Sequence, residues 1–209
     1  PANVEYKIPY DTSPFVKVSI TKVIYTLLEA MALVFAVMFL FLQNFRYTII
    51  PTIVVPVALL GTFGALLAMG FSINVLTMFG MVLVIGIVVD DAIVVVENVE
   101  RKFEHGETDP YKAASSAMKE VAGPIVATTL SLVAVFVPAA LMPGVTGQLY
   151  NQFALTIAFS IALSAINSLS LSPALAAVFL KPQQEPTKFK PFVAFNRFFD
   201  WLREKYGSV

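Results

Sequence analysis

The chain has no cysteine and one histidine, His105. Disulfides and thiolate metal centres are thereby excluded, and a lone histidine is not expected to build a metal site. Charge is scarce as well. Asp, Glu, Lys and Arg make up 13% of 209 residues, against about 25% in a soluble domain. The 14 basic and 14 acidic residues cancel, so no pull toward nucleic acid is expected. No signal peptide is visible. Hydrophobic residues, in contrast, reach 57%, with a mean hydropathy of +0.78. That balance makes lipid the expected solvent. The abrupt start at Pro1 and stop at Val209 read as the ends of a piece of something longer.

A bilayer-spanning helix needs about 20 mostly apolar residues. Five segments qualify, at about 24–45, 49–69, 73–96, 124–141 and 153–180. The expected fold is therefore an all-α integral membrane bundle of five spans. Pro51 and Pro56 in the second span and Pro173 in the fifth free backbone carbonyls, which neighbouring helices can tolerate. They read as helix irregularities or as hinges.

Lys and Arg in the connections set the orientation. Arg46 lies in the first loop. Arg101, Lys102, Lys112 and Lys119 lie in the third, taken as Glu97 to Ala122, and Lys181, Lys188, Lys190, Arg197, Arg203 and Lys205 in the tail. The second and fourth loops have none. The basic connections are thus expected in the cytoplasm and the N-terminal end outside. Residues 1–21, with strand-like "VEYKI" and turn-like "PYDTSP", read as the end of an external domain. Within the third loop, residues 109–122 predict a short helix with Asp109 as N-cap, Pro110 first, and a stop at Gly123–Pro124. Residues 183–209 predict an amphipathic helix lying in the lipid interface, with Phe192, Phe195, Phe198, Phe199, Leu202 and Tyr206 on one face.

Three acids fall within the spans, Glu29, Asp90 and Asp91, and no Lys or Arg does. An aspartate near the bilayer centre costs about 2.5–3.5 kcal/mol and marks function more often than accident. Asp90 and Asp91 sit about 7 Å past the middle of their span at 1.5 Å per residue. Removal from water and a like charge alongside both favour the protonated form of a carboxylic acid. Such a pair fits proton exchange, a static bridge to another helix, or a channel lining. In each case the counter-charge has to come from outside these five spans. Glu29, near the outer end of its span, either serves function or snorkels to water. Ser160, Ser164, Asn167, Ser168 and Ser172 recur at helical spacing, a stripe that glues helices or lines a hydrated path.

The stretches "FLFLQNFRYTIIPTIVVPVALLGTFG", "GFSINVLTMFGMVLVIGIVVDDAIVVVENVER" and "SPALAAVFLKP" closely resemble the resistance–nodulation–division multidrug efflux pumps, in their hydrophobe/amphiphile branch. The resemblance runs over nearly the whole chain. It implies a fragment of the N-terminal half of a twelve-span pump, holding its second to sixth spans plus the interfacial helix before the seventh. It implies Asp90 and Asp91 as proton-relay residues, paired with a second-half lysine that lies outside this chain. It also implies a homotrimer in the bacterial inner membrane, a periplasmic adaptor, an outer-membrane channel, and drugs and other amphiphiles as cargo. No cofactor beyond the proton gradient is implied, and the activity is secondary transport rather than enzymatic. A proton-coupled metal-ion exporter, or a protein-translocation or lipid-sensing module of the same superfamily, stands as the alternative. The seven methionines are scattered rather than paired along a path.

Overall fold

The computed structural model describes residues 13–182 together with Arg197 and Lys205. Among the described residues there are five α-helices and no strand: α1 Ser13–Leu42, α2 Phe45–Ala68, α3 Val75–Glu104, α4 Pro110–Ala140 and α5 Gly144–Phe179. Each is long and apolar enough to cross a membrane. Short turns join them, so successive helices run antiparallel. The strand-like residues 1–12 and the expected amphipathic helix of 183–209 lie outside the described residues, apart from Arg197 and Lys205, which are helical and exposed.

Four helix limits differ from the sequence expectation. α1 already begins at Ser13, inside the stretch assigned to an external domain. Pro14 in the first turn explains this, since its missing N–H is one that no helix start can satisfy. α3 continues to Glu104, so Glu97 and Glu100 are helical and not part of a loop. Arg101 and Lys102 in its last turn favour that extension through the helix dipole. The stop at Gly123–Pro124 is absent, and α4 runs unbroken through Pro124. There proline forfeits one backbone hydrogen bond, to the Glu120 carbonyl, without ending the helix. α5 starts at Gly144, not near Phe153, so the polar run "GQLYNQ" forms its first turns. The expected N-cap does hold: the Asp109 side chain accepts from the Tyr111 N–H at 3.0 Å.

α5 is the centre of the bundle and packs on α2, α3 and α4, while α1 rests against α3 and α2. The buried face of α3 runs through Val84, Val88, Ala92, Val95 and Val99, spaced three and four apart as one helical stripe requires. Small residues set the closeness of packing, as expected where lipid offers no hydrophobic drive between helices. A Cβ at Gly80 would sit 3.3 Å from Thr156 Cγ2, and Ala113, Ala114 and Ala117 of α4 share a core with Ala176 of α5. At the end that holds the α2–α3 and α4–α5 turns, Asn74 caps α3 with Thr77 and also bonds Gln152 of α5. Asn151 donates to the Ala140 carbonyl at 2.6 Å. At the basic end, Glu120 of α4 pairs with Arg101 and Lys102 of α3, and Tyr47 donates to the Lys181 carbonyl at 3.2 Å.

Candidate functional site

Successive residues on an α-helix point about 100° apart, and that divergence gives Asp90 and Asp91 different surroundings. Asp90 is exposed on the surface of the described bundle, while Asp91 is half-buried. Both line one groove of about 490 Å³ between α3 and α4. Its walls are apolar, with Ile87, Val94, Ile125 and Leu132, and its other polar residues are Thr128 and Ser131. The Thr128 hydroxyl donates back to the Pro124 and Ile125 carbonyls at 3.0 Å. That of Ser131 donates to Ala127 at 2.8 Å. Each hydroxyl has one proton to give, so both can offer only acceptor oxygens to the groove. Two carboxylates and two acceptor oxygens in an apolar cleft favour a cationic donor. Among the described residues no Lys, Arg or His forms an ion pair with either aspartate.

Asp91 turns toward α5, where the Ser164 hydroxyl lies 3.1 Å from its Oδ2. The rest of the serine stripe is inside the bundle too. Ser160, Ser164, Ser168 and Ser172 are all fully buried, and Asn167 is half-buried. Ser160 donates to the Thr156 carbonyl at 2.8 Å, whereas the Ser168 and Ser172 hydroxyls have no hydrogen-bond partner. Glu29 is exposed on α1 and takes no part in lining the groove.

A second acidic groove was not foreseen from the sequence. Glu97 and Glu100 line a cleft of about 460 Å³ with Val37, Phe41 and Leu42. The missed signal is their spacing of three, which on a continuing α3 puts them on one face.

Five helices long and apolar enough to cross a membrane, with a carboxylate-bearing groove between α3 and α4, define an all-α integral membrane protein. The chain belongs to the AcrB/AcrD/AcrF family, whose model matches residues 1–209. It is 52% identical over 211 residues to the multidrug export protein AcrF of Escherichia coli, with 100% of the chain covered. It is 51% identical over 209 residues to the multidrug resistance protein MdtF of Escherichia coli, with 99% covered. It is 50% identical over 206 residues to the toluene efflux pump membrane transporter TtgB of Pseudomonas putida, also with 99% covered. The chain spans 20% of the length of the first two relatives and 19% of the third. These matches bear out the resemblance to multidrug efflux pumps.

Proposed function

We propose that this chain is the proton-exchanging part of a secondary drug exporter in the bacterial inner membrane. It holds the second to sixth spans of a twelve-span protomer. The observation that carries this reading is the α3–α4 groove, in which every polar group is an acceptor and two are carboxylates. A lysine ammonium from the other half of the same pump completes it, because an unpaired double negative charge is not stable in hydrocarbon. Protonation of the pair weakens that attraction, and deprotonation restores it. A helix bearing the ammonium is thereby released and recaptured once per cycle, a two-position movement that a packed bundle can pass to distant domains.

Direction follows from the charge asymmetry of the connections. Arg46, Arg101, Lys102, Lys112, Lys119 and Lys181 cluster at one end of the bundle, which faces the cytoplasm. Protons load from the opposite, periplasmic side. The family resemblance supplies the rest of the assembly: a homotrimer, a periplasmic adaptor and an outer-membrane channel, exporting drugs and other amphiphiles. The names of the relatives, with their multidrug and toluene export, support that cargo class.

The test is the energy source. In vesicles carrying the full-length pump, drug export stops when an ionophore collapses the proton gradient and ATP is held constant. Export that persists without the gradient contradicts the reading.

A further inference from the structure

The Ser164 hydroxyl has two acceptors in reach and one proton. It lies 3.1 Å from Asp91 Oδ2 and 3.1 Å from the Val88 carbonyl oxygen. Both acceptors belong to α3, one turn apart, and Ser164 itself is fully buried on α5. Val88 and Ala92, also fully buried, fix that turn of α3 against α5. Asp90 has no such donor among the described residues. The two carboxylates of the pair are therefore unequal: one opens on the groove, and the other is held from behind.

We propose that Ser164 is the positioning residue of the exchange site and that its hydroxyl responds to the charge on Asp91. The inference rests on the proton-exchange reading above. With Asp91 ionised, the hydroxyl donates to the carboxylate, since a charged acceptor draws a hydrogen bond about twice as strong as a neutral one. With Asp91 protonated, the advantage is gone and the proton returns to the Val88 carbonyl. Only rotation about the Cβ–Oγ bond is required, so α3 and α5 stay tied in both states. In the ionised state the tie holds the side chain of Asp91 and fixes which oxygen faces the groove. In the protonated state it holds the backbone, and the carboxyl is free to turn.

The charged groups that bear on Asp91 are few. Asp90 is its neighbour on α3, and Glu97 lies two turns on along the same helix. α5 has no Asp, Glu, Lys, Arg or His, and α4 has none from Ala122 to Ala140. The ionisable side chains of α1 and α2 within their helices are Lys17, Lys22, Tyr25, Glu29, Arg46 and Tyr47, and none of them lines the groove. A change at Ser164 therefore acts on Asp91 with little else to absorb it.

The experiment measures drug export against pH in proteoliposomes of the full-length pump at a fixed gradient. Ser164→Ala is expected to move the midpoint of the profile up by about one pH unit, since one hydrogen bond to the charged form is lost. Ser164→Thr, which keeps the hydroxyl, is expected to restore the wild-type midpoint. Ser168→Ala and Ser172→Ala, on the same stripe and equally buried, are expected to leave it in place. An unmoved midpoint for Ser164→Ala, or a shift equally large in Ser164→Thr, overturns the inference. So does a fall in protein amount with the midpoint unmoved, because that is the behaviour of simple helix glue. Asp91→Asn is run alongside. If it is inactive while Ser164→Ala behaves as wild type, only the role of Ser164 falls. If it exports normally, the proton-exchange reading falls first.

Discussion

Asp91→Asn in the full-length pump is expected to return drug accumulation in cells to the level of a pump-deficient strain, with the protein still present in the membrane. Asparagine keeps the size of aspartate and can accept a hydrogen bond from Ser164, so the α3–α5 contact survives. It neither binds nor releases a proton. On the proton-exchange reading, it also leaves the cation supplied by the other half of the pump facing one carboxylate in place of two. With Asp90 still charged but no exchangeable proton at position 91, the groove is expected to stay in a single state. The check is accumulation of a fluorescent substrate beside an immunoblot of the membrane fraction. Normal export at normal amount means that Asp91 is not the exchanging group.

Tyr47→Ala is expected to produce the largest loss of stability in the bundle. Tyr47 is 1% exposed and shares a core with Ile50, Val96, Val99 and Leu180. Its hydroxyl reaches the Lys181 carbonyl and so fastens the start of α2 to the chain just beyond α5. Deleting a buried aromatic ring costs about 3–5 kcal/mol where the site does not collapse. Tyr47→Phe removes only the hydrogen bond, a loss of about 1 kcal/mol. Thermal unfolding of the full-length protein in detergent is expected to rank the wild type first, Tyr47→Phe just below it and Tyr47→Ala well below. Equal unfolding temperatures for the two variants would remove the ring from the account.

The spans were legible because the bilayer imposes a length, and residues such as Leu28, Val54 and Ile161 satisfy it without any knowledge of their neighbours. Helix ends were less legible. Pro124 and the run from Glu97 to Glu104 look like breaks by composition. Yet a proline with helical φ, or a charged turn beyond the lipid, costs less than ending a helix that is already formed. The first turns of α5 misled for the same reason, since Gln148, Asn151 and Gln152 are polar and still helical. Asp90 and Asp91 stood out by their chemistry alone, and their place beside a groove needed α4 to be positioned. Ser164 was visible only as one member of a stripe. Its bond to Asp91 joins residues 73 apart in the sequence, and periodicity within one helix says nothing about which residue of another it meets. Ser168 and Ser172 repeat the same pattern one and two turns on and have no hydrogen-bond partner, which is why the stripe by itself did not single out the member that meets Asp91.

The claim on which the account turns is that the pair on α3 takes up and gives back protons. Infrared difference spectroscopy of the full-length pump in lipid, between alkaline and acidic buffer, reads this directly through the carbonyl stretch of a protonated carboxylic acid. Proton exchange at the pair requires a band that appears on acidification and is lost in Asp91→Asn. The same band at full strength in Asp91→Asn and Asp90→Asn alike would contradict it.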